Sequence, residues 1–391
     1  VKGKSGMDRD IKLANLVLGG GGVLGIAYIG MLEVAEERGF YFKNIAGVSA
    51  GALVGAFIGA GYNSCELKRI LDEFDFNKMK LSDISREIPV VKKYMEYSLS
   101  SAFRGNKSFK DFLNMPVMDR GKHYSSENNG EFVEVDEEFT GYRRNLLKNI
   151  VTYSKEGCLF DGDYLEEWVY KTLKRKGIKT FADLRGGRTD RTNPNGYKVR
   201  MTAVDANRGR IVVLPDDISY YGIDPDRLEV AKAVRMSTSV PFAFKPVEVL
   251  KKDGGSVKKH YLVDGGVLDN LPVWLIQPSM AIPLIVCELK GRDKLFSIMT
   301  PLNILKGLVS AVHDFGIPNI KHYKNSYLVR IYTGDISFLD FELSEKDKKF
   351  LIDSGRIAAL CTLRKVYRRK YIQRYAAFYI LRRILGLYNC L

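Results

Sequence analysis

LANLVLGGGGVLGIAYIGML, residues 13–32, runs twenty residues without a charge and sets four glycines in a row behind a short apolar stretch. Leu13–Leu18 has the length and composition of a buried strand, and Val23–Arg38 reads as a helix with Gly39 as its stop signal. Asn44–Gly47 reads as a short second strand, and Ala50–Gly61 as a second helix rich in small residues. Strand, helix, strand, helix at this spacing implies parallel strands joined by crossover helices, hence an α/β sheet.

Three segments are long and uncharged: 13–32, 44–65 and 270–287. A membrane span needs about twenty apolar residues. The first two are loaded with glycine and alanine, and Pro272, Pro278 and Pro283 break the third, so all three read as buried strands and closely packed helices. Gly20-Gly21-Gly22-Val23-Leu24-Gly25 fits the dinucleotide-binding pattern G-x-G-x-x-G. That reading expects an acidic residue at the end of the second strand, where this chain has Gly47-Val48-Ser49-Ala50-Gly51. A phosphate loop would need a Lys-Ser/Thr pair that the glycines lack.

Gly47–Gly51 is instead G-x-S-x-G at a strand-to-helix junction. A nucleophilic serine on a sharp turn needs small flanking residues, and the following helix points its positive end at the hydroxyl. Something must accept the serine proton. A triad in the order Ser49, Asp264 and His313 or His322 is allowed, but several strands normally precede the elbow in that fold, and here one does. With four histidines in the chain, none in a motif, direct proton acceptance by a carboxylate is favoured. Asp253-Gly254-Gly255 lies among four lysines, as a solvated hairpin turn does. Asp264-Gly265-Gly266 follows the apolar strand end Tyr261-Leu262-Val263, where burial raises a carboxylate's proton affinity. Asp264 is therefore the expected base.

The chain has 391 residues and a net charge of +15. Residues 292–391 hold 18 Lys/Arg against 8 Asp/Glu, a net +10. Within this tail Leu360, Leu363, Tyr367, Tyr371, Tyr375, Phe378, Leu381 and Leu385 share one helix face, and basic residues crowd the rest. The face either docks on the domain or lies on an anionic membrane. Five scattered cysteines without metal-ligand spacing suit a reducing compartment. The charged start, VKGKSGMDRD, is unlike a secretory signal. The expected location is the cytoplasm, peripheral to a membrane, with export by another route left open. Residues 75–160 alternate charged, aromatic and polar residues and read as an inserted helical or loop cap over a site.

The glycine loop, the serine elbow and the downstream Asp-Gly-Gly together resemble the patatin-like phospholipases. Their order and spacing match, as do AVRMSTSVPFAFKPV (233–247) and DGGVLDNLPV (264–273), with Asn270 and Pro272 in place. The family often has Lys or Arg where this chain has Leu24. The resemblance implies a three-layer α/β/α catalytic domain over 11–290, extended by 291–360, with 361–391 as a basic amphipathic tail. It implies a Ser49–Asp264 dyad, an oxyanion hole drawn from Gly20, Gly21, Gly22, Gly25 and Ala50, and motif glycines Gly47, Gly51, Gly265 and Gly266. The implied reaction is hydrolysis of phospholipid or other lipid esters, without metal or cofactor. An acyltransferase on the same residues, or a non-catalytic lipid-binding protein, stays open. Nucleic acid is not expected as a partner, because the tail aromatics fall on the apolar face and build no stacking platform.

Overall fold

Along β1 (Lys12–Leu18), Ala14, Leu16 and Leu18 enter one apolar cluster while Val17 enters a second on the opposite face. β9 (Leu284–Lys290) divides in the same way, with Ile285, Cys287 and Leu289 on one side and Leu284 and Val286 on the other. Strands apolar on both faces belong in the middle layer of a parallel sheet covered on each side. The computed structural model describes residues 11–75, 78, 158–253, 256–291, 323, 325–336, 338 and 343–384. Of these, Cys158, Leu159, Phe242 and residues 367–384 are described by backbone alone. The expected cap, 75–160, falls almost entirely outside the described residues, as do His313 and His322.

The chain divides into two compact units, Val1–Phe76, Leu165–Val240 and Pro246–Leu391 forming the first and Asn77–Tyr164 with Pro241–Lys245 the second. In the second, β3 (Cys158–Phe160) pairs in parallel with β6 (Phe242–Phe244), and the Phe160 and Phe244 rings lie 5.7 Å apart. The first unit holds the main sheet. Its strand order is β10 (Ser326–Tyr332), β9, β1, β2 (Phe40–Val48), β4 (Val199–Asp205), β8 (Ser256–Asp264), β7 (Val247–Asp253), with β5 (Arg210–Leu214) also on β4. The β10–β9, β9–β1, β1–β2 and β2–β4 pairs are parallel; β5, β8 and β7 add antiparallel pairs. The fold is a three-layer α/β/α sandwich around a mostly parallel sheet.

The larger cluster gathers α1 (Ala27–Glu37), α2 (Ala50–Gly59), α3 (Ser64–Asp72), α4 (Asp163–Lys174) and α5 (Val230–Ser237) on one face. Leu271–Ile276 covers the smaller cluster. Two element boundaries differ from the sequence reading. The helix expected from Val23 opens as a 3-10 turn, Gly22–Ile26, in which the Leu24 N–H donates to the Gly21 carbonyl three residues back (3.1 Å), while the otherwise unmatched Val23 N–H is taken by the Phe338 carbonyl, 3.1 Å away. β2 begins at Phe40, since Phe40, Tyr41 and Phe42 extend the ladder against Lys12, Leu13 and Ala14.

The basic C-terminal segment lies in α6, a helix running unbroken from Glu345 to Ile384. Its first half crosses α1 at near backbone contact: Gly355 lies against the Ala27 carbonyl, and Gly30 against that of Ile352. Leu351, Ala359, Leu363 and Val366 are buried there. Arg356 closes the crossing on Glu33 (3.0 Å) and Glu37 (2.8 Å).

Candidate active site

β2 delivers Ser49 to a turn with φ 53° and ψ −124°, and α2 begins at the next residue. A non-glycine residue held there costs about 1–3 kcal/mol, so its surroundings must enforce it. They do so by close approach. A Cβ at Gly47 would fall on the Gly51 carbonyl, and one at Gly51 on the carbonyl oxygens of Leu18 and Gly19. The Ser49 N–H donates to Ser237 Oγ (3.0 Å), whose hydroxyl donates to the Thr202 carbonyl (2.7 Å). This bridge ties the elbow to both α5 and β4. Sequence reasoning missed Ser237 as a functional residue; it stood unassigned within the quoted segment 233–247.

Asp264 reaches Ser49 by a feature of the sheet. β5 takes one edge of β4 over Met201–Asp205, so β2 and β8 share the other. β2 rises along it until Val48 lies opposite Thr202, and β8 descends from the far end until Asp264 lies opposite Ala203. The ends of the two strands thus meet head to head at consecutive positions on β4. Gly265, the next residue, packs so tightly on the Thr202 carbonyl and hydroxyl that a Cβ would come within 2.5 Å of the carbonyl oxygen.

Asp264 is 3% exposed. Oδ1 accepts the Gly266 N–H at 2.7 Å, and Oδ2 has no hydrogen-bond partner of ordinary length among the described residues. Burial raises the Asp264 pKa to about 7, against the opposing pull of the Ser49 hydroxyl and the Gly266 N–H. The hydroxyl thus lies close enough to the carboxyl to act on its pKa, without a hydrogen bond of ordinary geometry to Oδ2. Such pairs often tighten only when substrate binds. A carboxyl titrating near 7 is suited to accept a proton at neutral pH and return it.

The glycine loop is pinned at both ends. The Gly19 N–H donates to the Cys287 carbonyl (3.0 Å), the Gly20 N–H to the Asn270 carbonyl (3.1 Å), and the Tyr28 hydroxyl to the Gly19 carbonyl (2.7 Å). Gly20 is thus an anchor with its N–H engaged. Among the described residues, no acceptor takes the N–H groups of Gly21, Gly22 or Ala50. Gly22 has φ 54°, and a Cβ there would strike the Phe338 carbonyl. Gly25 sits inside the 3-10 turn, where a Cβ would come 2.9 Å from that of Ala50, so loop and elbow are in contact. Leu24 packs into the larger apolar cluster, an environment that suits it better than a cation. Gly266 lies against the Asn270 and Asp264 side chains.

Asp253 is remote, at the hairpin turn, with Lys258 Nζ 2.6 Å away holding its carboxyl below the usual range. His260, the only histidine among the described residues, places Nδ1 2.8 Å from Asp205 Oδ2. No group of three or more candidate metal ligands occurs among the described residues. None of the described helices is long and apolar enough to cross a membrane.

A serine hydroxyl on an enforced turn, facing a buried carboxyl beside unengaged N–H groups, is equipped for acyl transfer. Within the α/β proteins that carry such equipment, the chain belongs to the patatin-like phospholipase family, whose family model matches residues 16–276. It is 30% identical over 346 residues to the uncharacterized protein YqhO of Bacillus subtilis (strain 168), covering 87% of this chain and 94% of that one. It is 26% identical over 192 residues to the lysophospholipase NTE1 of Cryptococcus neoformans, which covers 46% of this chain but 12% of NTE1. The VipD structure from Legionella pneumophila aligns with 89% of this chain and 66% of its own, at 16% identity and a TM-score of 0.44. At that score the likeness carries no part of the assignment.

Proposed function

We propose that the protein is a lipid acyl hydrolase, of phospholipase A or lysophospholipase type, working through a Ser49 acyl-enzyme with Asp264 as base. The supporting observation is the meeting of β2 and β8 on one edge of β4, which sets the hydroxyl beside the carboxyl. Ser49 Oγ attacks the ester carbonyl carbon, and its proton passes to Asp264. The carbonyl oxygen, now an oxyanion, takes hydrogen bonds from the N–H groups of Gly21 and Gly22, with Ala50 at the positive end of α2. Fixed donors of this kind are worth about 10²–10³ in rate each. As the tetrahedral intermediate collapses, Asp264 returns the proton to the departing alcohol. Water then attacks the acyl-enzyme, gives its proton to Asp264, and the fatty acid leaves as Ser49 Oγ is reprotonated.

The test is fatty-acid release from phospholipid vesicles. Ser49→Ala and Asp264→Asn should each lower turnover by at least about a thousandfold, in line with the loss of a nucleophile or its base. Wild-type release by both variants sinks the assignment. Product analysis with an added alcohol separates hydrolysis from acyl transfer, which shares the first half-reaction.

The reading extends to place: cytoplasmic, peripheral to an anionic membrane, with the basic end of α6 contributing attraction. The support is in the sequence, where Arg364–Arg383 holds eight cations and no acid follows Asp353. Removing residues 367–391 leaves the buried Leu363 and Val366 in place. That truncation should weaken binding to anionic vesicles more than to neutral ones. Equal binding to both by the shortened chain would remove the tail from this role.

A further inference from the structure

The β7–β8 hairpin overhangs the sheet. Among the described residues, β8 pairs with β4 only through Leu262, Val263 and Asp264; beyond them, Val249–Asp253 and Ser256–His260 pair only with each other. The overhang leaves from the C-terminal end of β4, the end at which Ser49 stands. At the usual rise of a strand, Ser256 lies about 27 Å along β8 from Asp264. The base of the overhang is clamped, because the fully buried Asp205 holds His260 Nδ1 (2.8 Å) and accepts the Tyr221 hydroxyl (2.7 Å) on the same oxygen.

The surface of the overhang is unusual in both charge and apolarity. Leu250 is 52% exposed, Val257 58% and Tyr261 39%. Cross-strand register sets Leu250 opposite Lys259 and Val257 opposite Lys252, so apolar and cationic side chains alternate. Lys251 stands directly opposite Lys258, a like-charge pairing that weakens a hairpin. Arg208 and Lys251 flank the exposed Tyr220 ring, 3.8 and 3.5 Å from its centroid. Glu248 and Asp253 answer only Lys259 and Lys258. Lysines commonly guard a sheet edge against aggregation. A guard of that kind would not carry bare leucine and valine between its charges.

We propose that this hairpin docks the protein on an anionic lipid surface, seating Leu250, Val257 and Tyr261 at the headgroup boundary with Lys252 and Lys259, on the same face of the hairpin, on the phosphates. Apolar insertion combined with basic flanks is what interfacial binding requires, and a phosphate backbone of nucleic acid would use only the charges. The bilayer then lies toward the end of the sheet that carries Ser49, where the ester must arrive. The proposal rests on the lipid acyl hydrolase reading for its purpose, although the docking itself is measured separately.

The experiment uses the full chain carrying Ser49→Ala, so that vesicles stay intact, and measures sedimentation with phosphatidylcholine vesicles with or without phosphatidylglycerol. Lysines near an anionic surface contribute about fivefold each. Lys252→Gln with Lys259→Gln should therefore lower affinity for the anionic vesicles by about tenfold or more and leave the weak binding to neutral ones unchanged. Leu250→Ser with Val257→Ser should weaken both. With Ser49 restored, the same variants should hydrolyse a short, water-soluble ester at the parent rate while hydrolysis of vesicle lipid falls in step with binding. Variants that bind vesicles as the parent does overturn the proposal. So does a selective loss of duplex DNA binding with vesicle binding intact, which would give the surface to nucleic acid. If the parent cleaves no ester while the hairpin variants still lose vesicle binding, the hydrolase reading fails and the docking stands.

Discussion

Asp264 carries its carboxyl into a site where only 3% of the residue remains exposed, and burial moves the carboxyl pKa to about 7. The unfolded chain titrates the same group near about 3.9. The folded state thus holds the proton more tightly, and the sign of both consequences follows. As the proposed base the group must be ionised, so kcat/KM for a soluble ester should rise with pH along a limb centred near about 7 and vanish below it. Stability runs the other way: it falls as pH climbs from about 4 through about 7, because the carboxylate must then be buried charged. Asp264→Asn, expected to be inactive under the proposed mechanism, should raise the thermal midpoint by a few degrees at about pH 8 and change it little at about pH 4. Thermal scans at the two values check this, and an equal shift at both would mean that Asp264 is ionised throughout.

Between residue and fold, the working element is the edge of β4 shared by β2 and β8. Ser237 stitches the junction from α5, accepting from the Ser49 N–H and donating to Thr202. Ser237→Ala leaves a buried N–H without its acceptor, which costs about 1–3 kcal/mol. Because that N–H belongs to the elbow, the variant should lose kcat on a soluble ester by about tenfold or more while KM hardly moves. An unchanged kcat with lowered stability would make Ser237 a packing residue alone. The sequence announced the serine and the carboxyl by their small and apolar neighbours. The stitch was not legible, since its partner lies 188 residues away along the chain.

Across the whole molecule, α6 binds the C-terminal segment to the first helix of the sheet. The α1–α6 crossing works because Gly30 and Gly355 admit the opposing backbone. Gly355→Ala would place a methyl on the Ala27 carbonyl and force the helices apart, for a loss of about 1–3 kcal/mol in urea denaturation. A neutral result would show that α6 shifts freely on α1. Local pattern gave an imperfect view of this helix. Apolar spacing was clear only from Leu360 onward, whereas the helix starts at Glu345 behind a charged first turn that shows no periodicity.

Composition and short-range pattern were enough to determine the α/β class, the glycine loop, the serine elbow and the candidate aspartate. Each depends on side-chain size or polarity within a few residues, and such properties are written directly in the chain. The tertiary structure alone decided that β8 would descend the same edge of β4 that β2 ascends, that Gly20 would give its N–H to Asn270, and that a lysine-studded hairpin would overhang the end of the sheet carrying Ser49. Those outcomes depend on pairings between segments up to 250 residues apart. Pairing at that range is settled by burying both faces of the sheet at once, and no local window of sequence contains that constraint.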